Sequence, residues 1–138
     1  MIPVGLEQRP MKFAEEFARA LWGSDWLAEL ASRTKYSPEF LRRYLSQRKI
    51  YTLAIAFLGL ESRRLDARIA ELDEEASTIH RMSAGGAPCL ARLYGECSTL
   101  RSRKQQIDHL HLSARRRAKA YDAWFARGGD PDEDGRAS

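Results

Sequence analysis

The sequence predicts an all-α protein in which three short helices precede a long antiparallel coiled-coil hairpin. Three observations support this fold class. Alanine, leucine, arginine and glutamate dominate, whereas β-branched residues are few and glycine is sparse, a composition that favours helices. Apolar residues recur at spacings of three and four along most of the chain. The stretch "SAGGAP" at residues 83–88 interrupts that repeat, which indicates a turn between two long helices.

The first two helices are predicted from apolar spacing and from glycine and capping residues. The first has one apolar face, formed by Phe13, Ala14, Phe17, Ala18, Leu21 and Trp22. Gly23 can end this helix in a left-handed conformation. Ser24 or Asp25 can cap the second helix, whose inward positions are Leu27, Leu30 and Ala31.

The third helix is predicted to begin at a Ser-Pro pair. Ser37 is a favourable N-cap, and Pro38 suits the first helical position because its missing N–H costs nothing there. Either Phe40 or Leu41 is then expected to face inward, together with Tyr44 and Leu45.

The remaining helices form the predicted hairpin. The apolar repeat runs from Leu58 to Ile79, broken only at Ser62, and resumes from Leu90 to Phe125. Apolar residues at this spacing form a coiled-coil seam, and a short loop makes the two arms antiparallel. Reflection about the loop brings together Leu72 with Leu100, Leu65 with Ile107, and Ser62 with His111.

The second arm is longer than the first, and its end carries the aromatic residues Tyr121, Trp124 and Phe125. Because such a cluster is rarely left in water, we expect it to dock either on the amino-terminal helices or on a second copy of the chain. The domains expected are therefore residues 1–51, residues 52–127, and an acidic disordered tail at residues 128–138.

Composition also limits the class of protein. Two cysteines do not make a disulfide framework, so a reducing cytoplasm is the simpler expectation. The longest apolar run, residues 53–60, is far shorter than a membrane span. His109 and His111 point in opposite directions on a helix, so we expect no metal site and no cofactor. No catalytic motif is present, and an enzyme is not expected. His111 and Lys104 lie in the seam, where polar residues fix register or oligomeric state.

Positive charge is concentrated around the third helix. Residues 33–49 contain six basic side chains and a single acidic one, Glu39. This density predicts an acidic partner, although a solvated basic face is the alternative. A second basic run, "SARRRAKAY" at residues 113–121, is better explained as a solvated helix face; as the alternative, it would extend the same positive surface.

Residues 24–49 resemble the helix-turn-helix DNA-binding domains of the Cro and phage-repressor kind. The residues that carry the resemblance are a small residue inside the first helix, an apolar residue before the second, its N-cap, and an inward pair: Ala31, Tyr36, Ser37, Leu41 and Tyr44. The family usually has glycine where this chain has Lys35 and often another where it has Gln47. Lys35 therefore either adopts a left-handed backbone or belongs to a different turn.

The resemblance implies a protein that binds double-stranded DNA through the third helix. Ser37, Glu39, Arg42 and Arg43 then lie on the exposed side of that helix, with the two arginines at bases or phosphates. Arg48 and Lys49 would contact phosphates, and Arg33 and Lys35 the DNA backbone.

The hairpin would supply a homodimer that reads a palindromic site, as in a phage, plasmid or bacterial repressor. The alternative is an adaptor, such as an antitoxin-like or anti-defence protein, whose hairpin binds a protein partner while the helix-turn-helix serves as scaffold.

Overall fold

The structure is a computed structural model that describes residues 10–82 and 87–128. Within those ranges it consists of five α-helices and one short 3-10 turn, with no strand. The helices are α1 (Pro10–Trp22), α2 (Trp26–Thr34), α3 (Pro38–Tyr44), α4 (Gln47–Met82) and α5 (Ala87–Ala126). The all-α fold class is therefore confirmed. None of these helices combines the length and the apolar content that crossing a bilayer requires.

The long hairpin is also confirmed, since α4 and α5 pack along one another. Its seam is buried as the repeat predicts, at Leu58, Leu65, Leu72, Leu93, Cys97 and Ile107. Polar contacts across the seam fix an antiparallel register. Ser62 donates to Asp108 at 2.5 Å, and Arg101 donates to Asp73 at 2.9 Å. Ser62 thus bonds Asp108, which lies about one helical turn before His111, the residue predicted to face Ser62. Ser62 and His111 both line one shallow groove.

The end of α5 departs from the predicted seam. Trp124 is buried, at 7% exposure, whereas Phe125, which the repeat places inward, is 53% exposed. Asp122 pairs with Arg48, the second residue of α4. Beyond Asp122 there is no further α4 against which the seam could continue, so the three-four spacing no longer determines which side chain is inward.

One hydrophobic core joins the short helices to the hairpin. Its members come from all five helices and include Phe17, Leu30, Leu41, Leu58 and Trp124. The predicted boundary between residues 51 and 52 falls inside α4, and Tyr51 is fully buried in this core. The short helices consequently share their interior with about half of the hairpin. A smaller cluster, formed around Leu72 and Cys97, fills the hairpin nearer its loop.

Two arginines of α5 hold α1 in place. Arg103 donates to the carbonyl oxygens of Ala20 and Leu21, at 3.0 and 3.5 Å, where α1 ends. These carbonyls have no partner within the helix, and a cation is favourable at a helix carboxyl end. Arg117 lies over the ring of Phe13 at 4.4 Å from its centroid.

Some predictions concern parts of the chain that the structure does not describe. The hairpin turn at residues 83–86 and the acidic tail from residue 129 onward lie outside the described residues. The inward orientation predicted for Tyr44 lies outside the described side chains.

Candidate nucleic-acid interface

The start of α3 is formed by local side-chain chemistry. The hydroxyl of Ser37 accepts a hydrogen bond from the backbone N–H of Phe40 at 3.0 Å, and Pro38 occupies the first turn. This cap satisfies one of the donors that a helix leaves unpaired at its amino end. The predicted start of the third helix is therefore confirmed in its capping residue and its first helical residue.

The turn between α2 and α3 contains a strained residue. Lys35 has φ 62° and ψ 20°, so its backbone is left-handed, as expected for the position where the resembled family has glycine. A side chain in this conformation costs about 1 to 2 kcal/mol relative to glycine. The hydroxyl of Thr34 bonds the carbonyl of Leu30 at 2.7 Å and satisfies one of the last acceptors of α2.

Packing against the core determines which face of α3 points outward. Leu41 is fully buried and Leu45 is 3% exposed, while Leu30 and Ala31 are buried on α2. Because Leu41 faces the core, the residues about half a helical turn from it, Glu39 and Arg43, face solvent. Arg42 is exposed as well.

The two central arginines differ in their contacts. Arg43 forms an ion pair with Glu39 one turn earlier at 3.4 Å, with side-chain exposures of 65% and 71%. Arg42 makes no ion pair or hydrogen bond with the part of the chain that the structure describes. Exposed pairs within one helix are worth about 0.3 to 0.5 kcal/mol, so both guanidinium groups can be redirected to a ligand at little cost.

Residues on the flanks of α3 are engaged to different degrees. Arg33 pairs with Glu29 at 3.4 Å and lies over the ring of Trp22 at 5.0 Å. Lys35 is exposed in the turn. Arg33 is therefore partly held by its own helix and by Trp22, whereas the charge of Lys35 is exposed in the turn that precedes α3.

Arg48 and Lys49 lie at the start of α4. The Nε of Arg48 donates to Asp122 at 2.9 Å, a carboxylate of the hairpin that the sequence pattern did not associate with it. Lys49 is exposed, and its backbone N–H donates a hydrogen bond to the Ser46 hydroxyl at 3.2 Å. Of the two predicted phosphate contacts, Lys49 is therefore the more available, while Arg48 shares its charge with Asp122.

An exposed aromatic pair lies beside these charges and was not identified from the sequence. The rings of Tyr36 and Phe40 lie 4.7 Å apart at an angle of 31°, and the two residues are 36% and 38% exposed. Of the two candidates for the inward position, Leu41 is buried and Phe40 faces outward. Adjacent residues on a helix differ by about 100°, and only the packing of α3 decides which of two apolar neighbours is inside.

The second basic run lies on α5. Arg115, Arg116 and Lys119 are exposed, while Arg117 also bonds the Ser113 hydroxyl at 3.1 Å. Ala114 and Ala118 on the same helix are buried. Exposed basic side chains agree with a solvated helix face and equally with an extension of the positive surface, so the choice between them stays a prediction.

A polar cluster crosses the hairpin at the predicted break in the seam. Ser62 and Lys104 both donate to Asp108, and Lys104 lies 3.5 Å from Asp66. Burial alone would raise the pKa of Asp108, but the hydrogen bonds from Lys104 and Ser62 outweigh it and hold that pKa below its usual value. The hydrogen bond to Asp108 likewise raises the pKa of Lys104. The contacts of Ser62 with Asp108 and of Lys104 with Asp66 join the two arms, which agrees with register as one of the two roles predicted for Lys104.

Within residues 10–82 and 87–128, no group of three or more histidine, cysteine or acidic residues is arranged to hold a metal ion. Cys97 is buried. Burial is the main cause of the raised pKa of its thiol, and the hydrogen bond to Asp73 raises that pKa further. A raised pKa keeps the thiol protonated, which does not favour nucleophilic chemistry.

Comparison with known proteins identifies no relative, since no protein-family model, no curated protein and no solved structure matches the chain. The resemblance of residues 24–49 to Cro-like and repressor-like domains therefore stays a prediction.

Proposed function

We propose that this protein binds double-stranded DNA through α3 and acts as a sequence-specific transcriptional regulator of the repressor type. The observation that carries the proposal is the state of Arg42 and Arg43. Both side chains are exposed, Arg43 on the face of α3 opposite the buried Leu41 and Arg42 to one side of Leu41. Neither pairs with a carboxylate of the long hairpin among the described residues.

The shape of α3 suits a major groove. The helix is seven residues long, and its first two residues, Pro38 and Glu39, are exposed. A groove about 12 Å wide admits one α-helix, whose amino-terminal residues reach the base edges. If Arg43 leaves Glu39 for a guanine, the freed carboxylate can accept a hydrogen bond from a neighbouring cytosine.

Phosphate contacts would come from the residues that flank α3. Lys35 precedes the helix and Lys49 follows it, and both are exposed. Arg33 and Arg48 would join them after exchanging their present carboxylate partners for phosphates. The hydroxyl of Ser37 accepts a bond from the helix, and its own proton remains able to donate to a phosphate.

A homodimer would place two copies of α3 about 34 Å apart and would read an inverted repeat. The seam of the hairpin is buried within one chain, so dimerisation would need another surface. Of the three aromatic residues predicted for such a contact, Tyr121 and Trp124 are buried, so Phe125 is the one that a second copy could reach.

The adaptor hypothesis has less support from the exposed surface. The large apolar side chains that the hairpin exposes in the described residues are Leu60 on α4 and Tyr94, Leu112 and Phe125 on α5. The three residues on α5 are spaced 18 and 13 residues apart, which corresponds to about 27 and 20 Å along the helix. Single apolar residues at such distances are ordinary and form no continuous stripe for a partner helix.

The proposal is tested by selecting bound duplexes from a random pool and measuring affinity for the selected duplex over a range of salt. We expect an enriched inverted repeat and affinity that falls steeply with salt. Arg42→Ala together with Arg43→Ala should weaken binding about tenfold or more. Where both groups contact phosphates, the salt slope should also fall by about 2.

A matched control removes the same charge far from α3. Arg81 and Arg92 are exposed near the hairpin loop, and Arg81 lies about 50 Å along α4 from its start. The double variant Arg81→Ala and Arg92→Ala should keep the affinity and the salt slope of the unmodified protein. Equal loss in both double variants would indicate a general charge effect, and no loss at Arg42 and Arg43 would exclude α3 as the DNA-binding helix.

A further inference from the structure

The exposed aromatic pair on α3 is not explained by phosphate binding. Tyr36 and Phe40 pack against each other, yet more than a third of each residue remains exposed to water. The start of α3 is already determined by the Ser37 cap and by Pro38. Unlike the exposed apolar residues of α5, which stand singly, these two rings are adjacent and form one small apolar patch at a basic surface.

The position of Phe40 relative to Arg43 specifies what such a partner would be. The two residues are three apart, so they are neighbours on one face of α3. Their separation along the helix is about 4.5 Å, which lies between one and two base-pair steps of 3.4 Å. In a major groove, the Phe40 ring would thus lie one or two base pairs from the base that Arg43 contacts.

We propose that Phe40 reads the 5-methyl group of a thymine in the major groove, and that Tyr36 is a positioning residue that holds the Phe40 ring outward. The inference rests on the proposed function and adds a base to its recognition site. Thymine alone among the four bases presents a methyl group in that groove, and phenylalanine is one of the side chains that contact it.

The surrounding charges favour this occupant over an apolar protein surface. Lys35 lies one residue before Tyr36, and Arg42 and Arg43 follow Phe40 on the same short helix. An apolar partner would have to desolvate these cations, which is costly without paired carboxylates. A DNA duplex offers a methyl group to the ring and phosphates to the cations at once.

The test replaces thymine by uracil, one position at a time, in the duplex selected from the random pool. Uracil keeps the hydrogen-bonding edge and removes only the methyl group. We expect one thymine in each half-site at which uracil weakens binding about fourfold, the effect of burying one methyl group. That thymine should lie within two base pairs of the position where Arg43→Ala relaxes base preference.

Variants of the protein complete the cycle. Phe40→Ala should bind the thymine duplex more weakly and should no longer distinguish thymine from uracil. Tyr36→Phe keeps the stacked ring and should retain the fourfold difference, whereas Tyr36→Ala should reduce it. A loss of affinity in Phe40→Ala that left the thymine preference intact would indicate a structural role and would overturn the proposal.

The DNA substitution in the unmodified protein does not depend on how well any variant folds. If no thymine position responds to uracil while the selected duplex is still bound, the methyl contact is wrong and the proposed function stands. If the random pool yields no enriched duplex, both are wrong.

Discussion

At the scale of single residues, the local chemistry predicted around α3 is found in the structure, whereas the predicted cap of α2 makes no side-chain hydrogen bond. Ser37 caps α3, Pro38 occupies its first turn, and Lys35 adopts the left-handed backbone that its place in the turn requires. Each depends only on neighbours within four residues. The contact between Arg48 and Asp122 could not be predicted, because it joins residues 74 positions apart that only the docked hairpin brings together.

Two substitutions of Lys35 separate the effect of its backbone strain on stability from the effect of its charge. Lys35→Gly should raise the free energy of unfolding by about 0.5 to 1 kcal/mol, since relief of the left-handed strain exceeds the added entropy of the unfolded chain. Lys35→Ala removes the same charge and keeps the strain, so it should give no such gain. Urea unfolding measures both effects.

The same two variants should weaken duplex binding equally if Lys35 contacts a phosphate. A Lys35→Gly variant no more stable than Lys35→Ala would show that the turn changes conformation on substitution.

At the scale of helices, the hairpin follows from the apolar repeat, and the polar residues that interrupt the repeat form contacts with one another. Ser62, Lys104 and Asp108 meet where the repeat places a serine and a lysine in the seam. The end of α5 was less predictable. The repeat places Phe125 inward, but Trp124 is the buried residue, because α4 begins too late in the chain to cover that end of α5. Likewise, the outward ring of Phe40 followed from the docking of α3 and not from its composition.

The Asp108 contacts predict a pH dependence of stability. The pKa of Asp108 is lowered in the folded chain, so its contribution is full above the unfolded value of about 3.9 and is lost as pH falls through the lower, folded value. Asp108→Asn should cost about 1 kcal/mol at pH 6. This cost should shrink as the pH is lowered below about 4.

Urea unfolding of the unmodified protein and of Asp108→Asn between pH 6 and pH 2.5 measures this difference directly. Asp66→Asn is the matched control, because Asp66 is exposed and lies 3.5 Å from Lys104. Its free energy of unfolding should change less with pH relative to the unmodified protein. A difference that stays constant with pH would mean that the charge of Asp108 does not stabilise the fold.

At the scale of the whole molecule, the short helices and the hairpin form one structure around a shared core. The change in periodicity near residue 52 indicated a domain boundary, but α4 passes through it without a break. Sequence periodicity reports which side chains are inward and not which elements they meet, so it could not show that Phe17, Leu41 and Trp124 share one interior. The consequence for function is that α3 packs against α2 and buries Leu41 in a core to which the hairpin also contributes.

This shared core predicts that a single substitution at the end of α5 destabilises α1 to α3. Trp124→Ala removes a large side chain that is 7% exposed and should lower the free energy of unfolding by about 3 kcal/mol. Phe125→Ala, at 53% exposure, is the adjacent control and should cost less than about 1 kcal/mol.

Helical circular dichroism gives the overall stability, and hydrogen exchange of the α1 amides reports the short helices separately. In Trp124→Ala, the opening free energy obtained from exchange of the α1 amides should fall by as much as the free energy of global unfolding, because both depend on the same core. Unchanged protection of α1 would mean that the short helices are stable without the hairpin, as the predicted boundary at residue 52 implied.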